Sequence, residues 1–520
     1  MTPNVTRRGF FRVGAAAGIA LAGGAALSAC GSSSSGAGTA AGIPQSGGTL
    51  RAAFVGGGAA ETLNFLKGPT PLDYIRARAQ HGALGAIDPA APDGVRYVIL
   101  DGIDVAPDLT SYTLRLRSGL KFSDGSPVTA ADVLYSLQAP AKLGALPYML
   151  TPSRTFNLDA ATVRDDRTLI LPTVKPVVDG RLVLCQSTLV FKNGTTEFTQ
   201  TTPSCGPFRL TQFEPGQGAS FVRNDDWSID GGTRLDGLEL HSIPDGDARA
   251  NALRGGQVDF VSDVSAVTAR TLGADPKLAI TTSEAPTLTR LSFSMNVTHP
   301  QFADNRVRTA FKLAADRTAM VDTALFGNGV VGNDLPSLGF PDYAADITQR
   351  QHDPTAARQL LSDAGATGMP ISLVTGPESA GMVEVATMYV ENLKDIGVAA
   401  ALDQRPAGQL FSDPNYFSTP FAATYSPPTP LLSGYQTTLA GGAMSAFGYS
   451  NARTDALFET ARSATDPNVR TQASRDAQQL LWEDGNAVTP VFTKSIDAHT
   501  ATVAGVVAAP YADFSGATVR

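Results

Sequence analysis

A chain of 520 residues that is 43% hydrophobic and only 17% charged is too long for a single core and too apolar to be disordered, so two or more lobes are expected. The 48 acidic residues outnumber the 40 basic ones, giving a net charge of −8. This excludes nucleic acid as a partner, because no cationic surplus remains to neutralise phosphates. Five scattered His and three Cys lack metal-ligand spacing, so neither a metal nor a cofactor is expected.

The chain opens with Thr6-Arg7-Arg8-Gly9-Phe10-Phe11, followed by a charge-free stretch from Val13 to Ala29. A basic start and a short, weakly apolar run predict an export signal over residues 1–29, the run being short for a membrane span. The paired arginines resemble a twin-arginine signal. Leu27-Ser28-Ala29-Cys30 resembles a bacterial lipobox, which implies lipidation at Cys30 and a lipid anchor on the outer face of the cytoplasmic membrane. Residues 30–46 are rich in Gly and Ser and are expected to form a flexible linker. Export to an oxidising compartment favours a disulfide between Cys185 and Cys205, worth about 3 kcal/mol for a loop of this size, with two separate buried thiols as the alternative.

Thr49 to Val55 reads as a first strand, with Gly56-Gly57-Gly58 behind it as a loop where backbone can approach a ligand. Tyr112, Leu114 and Leu116 alternate with polar residues, the period of a half-buried strand. Thr129-Ala130-Ala131-Asp132 predicts a capping box for a helix whose apolar stripe is Val133, Leu134 and Leu137. Thr168 to Leu171 reads as a strand, Ala248 to Arg254 as a helix, and Val258 to Val261 as a strand. A polar, Pro-containing stretch near Thr281 to Thr289 suggests an interlobe crossing. Leu291, Phe293, Met295 and Val297 then alternate with Ser292, Ser294 and Asn296 as a strand, followed by a helix through Val307, Ala310, Phe311 and Ala314. Asp316 is expected to cap the next helix, and Asp353-Pro354 and Asp466-Pro467 to start two more. Ile371 to Thr375, a helix to about Asp395, and Val398 to Leu402 predict a β-α-β unit with a parallel pair, and Val488 to Phe492 a late strand. Strands and helices alternate throughout, the pattern of α/β layering.

The segment Tyr112 to Leu137, with Lys121-Phe122-Ser123-Asp124-Gly125 at its centre, resembles the signature of the family 5 extracellular solute-binding proteins, the peptide and nickel receptors of ABC importers. Four further blocks follow in the family's order: Cys205-Gly206-Pro207-Phe208 with Arg223 to Trp227; Ala252 to Asp259; Asp304 to Arg308 running to Arg317; and Asp353 to Leu361. The likeness spans about residue 47 to the C-terminus. It implies a two-lobed periplasmic-binding-protein-like fold of type II (large cluster C) with a hinge and an interlobe cleft. Lobe I would be residues 47–285 and lobe II residues 286–490, with 491–520 returning to lobe I. The hinge crossings would fall near Ala285 to Arg290 and near Thr489 to Thr493, and Arg317 would join a local ion pair. The function implied is that of a lipid-anchored, monomeric, non-enzymatic component of an ABC importer. It would capture a peptide or peptide-like solute by cleft closure and deliver it to permease and ATPase subunits.

Peptide receptors of this family hold the ligand ammonium with an aspartate in a Trp-x-x-Asp-Tyr-like segment. The matching stretch here runs from Phe421 to Pro428 and places Thr424 at the acidic position and Phe421 at the Trp, so the anchor is missing. Asp413, followed by Pro414, reads as a turn rather than a substitute. A neutral, N-blocked or aromatic solute is then favoured, with Gly57, Glu61, Asn296, Thr424, Tyr425 and Tyr435 as cleft candidates. Among rival classes, an exported hydrolase lacks support: there is no Gly-x-Ser-x-Gly or His-Glu-x-x-His, and His81, His241, His299, His352 and His499 stand alone. A solute-sensing lipoprotein is not separable from an importer by sequence, and nickel or haem carriage finds little support in so few histidines.

Overall fold

The computed structural model describes residues 46–520, apart from 68–69, 89, 92–93, 407–408, 412, 414, 439–445 and 507–510. The expected export signal, Cys30 and nearly all of the linker lie outside the described residues.

The alternation at Tyr112, Leu114 and Leu116 becomes strand Ser111–Leu116, with those three side chains fully buried. It sits in a four-stranded antiparallel sheet with Leu100–Val105, Thr168–Pro172 and Thr162–Asp165. Helix Ala130–Leu143 packs on this sheet through Val133 and Leu137. Its start is fixed as expected: Asp132 accepts from the Thr129 backbone N–H (2.8 Å) and hydroxyl (2.7 Å), and its other oxygen accepts from the Asn193 N–H (2.9 Å). Replacing Asp132 with Ala removes all three bonds from a buried site. The expected cost is about 1–3 kcal/mol, read as a lower denaturation midpoint with an unchanged slope.

Two larger sheets organise the rest, and their strands are numbered in chain order. The first sheet contains β1 (Thr49–Phe54), β2 (Phe208–Glu214), β3 (Gly218–Arg223), β4 (Gly237–Ser242), β5 (Phe260–Val261) and β6 (Leu278–Thr282). The second contains β7 (Thr289–Met295), β8 (Gly329–Val331), β9 (Pro370–Thr375), β10 (Ala399–Gln404), β11 (Phe421–Ser426) and β12 (Ala487–Thr493), after which β13 (Ile496–Thr500) rejoins the first. The spatial orders are β2-β3-β4-β1-β5-β13-β6 and β8-β12-β7-β11-β9-β10. In the first sheet β1 is parallel to β4 and β5; in the second β9 is parallel to β10 and β11, with helix Met382–Asp395 completing the expected β-α-β unit. Strand β7 departs from simple alternation. It is central and covered on both faces, so Ser292 and Ser294 are buried as well, with the Ser292 and Thr489 hydroxyls hydrogen-bonded at 2.8 Å.

The chain passes between the sheets twice, over residues 283–288 and again over 494–495. The second passage was expected near Thr489 to Thr493, but those residues continue the ladder with β7, where Thr493 pairs with Thr289. The passages are stitched together: the Ser283 N–H donates to the Ser495 carbonyl (2.9 Å), and the Ser495 N–H to the Ser283 hydroxyl (2.8 Å).

Arg317 does join an ion pair, and a larger one than expected. Asp334, fully buried, accepts from Arg317 (2.8 Å) and Arg350 (2.8 Å), with the Thr489 N–H also on it at 3.0 Å. The disulfide expectation is corrected: Cys185 and Cys205 are both free, buried thiols. Each sulfur lies against a different glycine of the 82–85 segment, Cys205 near Gly82 and Cys185 near Gly85, and the Cys205 thiol is directed at the Val190 carbonyl (3.4 Å). Burial pushes both thiols up to about 12, so they are shielded and unreactive.

Candidate functional site

In open α/β sheets the groups free to meet a ligand sit beyond the carboxyl ends of the parallel strands, where side chains and loops leave the ladder. In the first sheet that edge consists of Gly56–Gly58 after β1, Ser242–Pro244 after β4, and Ser262–Asp263 after β5, with Asp497 alongside on β13. In the second it consists of the 376–380 turn after β9, Ser426 at the end of β11, and Arg290 near the start of β7. The two edges meet. The Ala380 N–H of the second lies close enough to Asp263 of the first to favour its charged form, and the charges of Asp263 and Glu378 both bear on the Tyr425 hydroxyl. A second contact between the halves lies elsewhere. Arg462, on helix Ala452–Ser463, forms a buried ion pair with Asp179 (3.3 Å), and its carbonyl accepts from the Val178 N–H (2.8 Å).

The electrostatics of these edges are dominated by loss of water. Asp263 has a left-handed backbone (φ 52), which Asp tolerates, and burial raises its carboxyl above the ordinary range. Its N–H donates to Asp497 (3.3 Å). Burial, reinforced by the Asp263 charge, pushes Asp497 up to about 8, and its Oδ2 has no partner. Arg249 is held by the carbonyls of Ile243 (2.8 Å), Pro244 (2.9 Å) and Asp263 (3.2 Å), and burial lowers its pKa. Burial also pushes Tyr425 up to about 12, so it stays a neutral donor, its ring 5.5 Å from that of Phe411.

Of the residues expected to line a cleft, Gly57, Thr424 and Tyr425 stand on or beside these edges. Glu61 is near them but fully engaged, pairing with Arg76 (2.8 Å) and accepting from the Ser242 hydroxyl (2.5 Å) and the Gly57 N–H (3.1 Å). Gly56 therefore serves packing, since a Cβ there would run into Ser242 and Glu61. Asn296 lies at the opposite end of β7, roughly 20 Å of strand from Thr289. There its oxygen closes a turn with the Thr298 N–H (3.1 Å) and hydroxyl (2.7 Å). Tyr435 stacks on Phe458 (4.3 Å) inside a helical core. Asp413 is the turn it was read as, accepting from the Asn415 N–H (2.8 Å). Sequence reasoning passed over Asp263, Asp497, Glu378 and Arg290. For Arg290 there was a signal, since it is the only charged residue between Leu288 and Val297.

Among the described residues no group of three or more His, Cys, Asp or Glu is placed to hold a metal, and no helix is long and apolar enough to cross a membrane. Two α/β lobes joined by paired crossings, with strand ends facing each other, define a binding protein of the periplasmic type. The profile described as "Bacterial extracellular solute-binding proteins, family 5 Middle" matches residues 95–443, and the chain belongs to that family. The glutathione-binding protein GsiB of Salmonella typhimurium is 25% identical over 453 residues, covering 81% of this chain and 85% of that one. Two solved structures share the fold. The periplasmic binding protein DppA from Helicobacter pylori, in complex with the peptide STSA, has a TM-score of 0.77 at 18% identity, covering 91% of this chain and 98% of that one. AgaA of A. tumefaciens R10, in complex with agropinic acid, has a TM-score of 0.77 at 20% identity, covering 91% and 99%.

Proposed function

We propose that the chain is the substrate-binding component of an ABC importer that captures a peptide-like solute between lobe I (47–282 and 496–520) and lobe II (289–493), joined by the two passages, and hands it to permease and ATPase subunits. The observation that carries this reading is the meeting of the two strand-end edges beside a pair of stitched crossings, in a chain of this family. A solute touching both edges binds the closed arrangement better than the open one and shifts the population accordingly. Relatives named for glutathione and peptide binding support the solute class. Gly57, Thr424 and Tyr425 are the proposed contacts, while Glu61, Asn296 and Tyr435 hold the scaffold. Lipid attachment at Cys30, after a twin-arginine-like signal, would keep the receptor at the outer face of the membrane, with no catalytic step and no partner beyond the transporter and its cargo. The test is native mass spectrometry of the purified protein together with scattering across a panel of peptides, glutathione and opines. A bound solute that shrinks the radius of gyration is expected; turnover of a panel member, or binding by none, refutes the reading. Loss of the lipid mass in a Cys30→Ser variant checks the anchor separately.

A further inference from the structure

Among the described residues, the buried arginines are neutralised. Arg76, Arg308, Arg317, Arg350 and Arg462 each lie within ion-pair distance of a carboxylate. Arg249 has three carbonyls and the nearby charges of Asp263 and Asp245. Arg290 has none of this. Its Nη2 donates to the Ser426 hydroxyl (2.9 Å), its Nε has no partner, and among the described residues no carboxylate pairs with it. Loss of water is the cause that pulls its pKa down to about 10. The residue is partly exposed while its Nε is buried, so the guanidinium is not sealed in the core. It occupies the edge of the second sheet beside both crossings, directly across the ladder from Ser426.

We propose that Arg290, with Ser426, anchors a carboxylate of the captured solute. The proposal rests on the receptor reading above and narrows it from peptide-like solutes to those carrying an anionic group. A planar guanidinium fork matches a carboxylate in two parallel hydrogen bonds, and a cation whose buried Nε has no partner carries a standing cost that such a ligand removes. The ladder explains why the cation is left free. Ser292 pairs with Thr424 and Arg290 with Ser426, so Thr424 is the diagonal neighbour of Arg290 on the same strand face, about 7–8 Å away. An acid at position 424, where the family resemblance implies one, would stand within reach of Arg290 and neutralise it. The threonine there donates instead to the Ser292 carbonyl (3.3 Å). The missing acid and the unpaired arginine are thus two sides of one arrangement, which favours an anionic group at this point of the cleft.

The test compares wild type with Arg290→Gln, Arg290→Lys and Thr424→Asp by calorimetry. The probes are glutathione, N-acetyl-dipeptides and agropinic acid, each set against its amide or ester. The expected result is that carboxylates bind wild type more tightly than their neutral counterparts. Arg290→Gln and Thr424→Asp should each weaken carboxylate binding about 10–100-fold, and Arg290→Lys should retain part of it. The melting temperature of ligand-free Arg290→Gln should equal or exceed that of wild type, because an uncompensated charge is gone. Equal binding of acid and amide, or full carboxylate affinity in Arg290→Gln, overturns the anchor while leaving the receptor intact. A lower ligand-free melting temperature with affinity preserved makes Arg290 a structural strut and also overturns it. If no probe binds wild type, the receptor reading falls and the anchor with it.

Discussion

Replacing Asp334 with Asn is expected to destabilise the protein by about 3–5 kcal/mol, the scale for stripping one partner from a buried ion network. The size and shape of the side chain are kept, so packing is not at issue. What is lost is the charge at the centre of a fully buried group: Arg317 and Arg350 both donate to this carboxylate, and Arg350 also lies over the Trp482 ring at 3.8 Å. Lys312, buried nearby and bonded to the Leu481 (3.3 Å) and Trp482 (3.0 Å) carbonyls, is drawn down to about 7 by burial, and the attraction of Asp334 opposes that shift. In the variant Lys312 gives up its proton more readily, which softens the loss but cannot restore the two arginines. Urea unfolding at neutral pH measures the effect, and a change below about 1 kcal/mol would contradict the account of Asp334 as the hub.

The second large effect concerns pH. Asp497 keeps its proton in the folded protein up to about pH 8, whereas an unfolded chain releases it near the ordinary carboxyl value of 3.8. Between those two pH values the folded state binds more protons than the unfolded one, so this group makes stability fall as pH rises through that window and flatten above it. Asp263 is the charged neighbour that adds to burial in raising the pKa. Asp497→Asn keeps an acceptor for the Asp263 N–H and removes the titration. The variant should match wild type near pH 4 and exceed it at pH 8 by an amount of the order of several kcal/mol, at about 1.4 kcal/mol per pH unit of the window. Melting curves across this range decide it. A constant offset at all pH values would show that the proton is not involved.

Local signals carried much of the architecture. The capping box at Thr129, the Asp-Pro starts at 353 and 466, and the alternation through Leu291, Phe293 and Met295 each depend on neighbours in sequence, and each is found in the structure. The site was less legible because it is assembled from pieces distant in the chain. Asp263 and Ala380, or Arg290 and Ser426, meet only after both sheets have formed, and no periodicity announces them. Tyr435 and Asn296 show the opposite error. A tyrosine or an asparagine near a strand end resembles a ligand contact, but a stacking partner in Phe458 and a turn at Thr298 use them fully. The cysteine pair failed for the same reason: separation along the chain says nothing of which way two side chains point, and here each sulfur packs against its own glycine.

Because residues 289 and 493 are ladder partners, everything between them leaves the first lobe and comes back at a single point. Such a segment can be gained or lost without threading the remaining chain differently, which gives the second lobe freedom to diverge in cargo preference while its host half stays constant. It also means that any rocking of one half on the other bends both short straps together, since Ser283 and Ser495 tie them side by side.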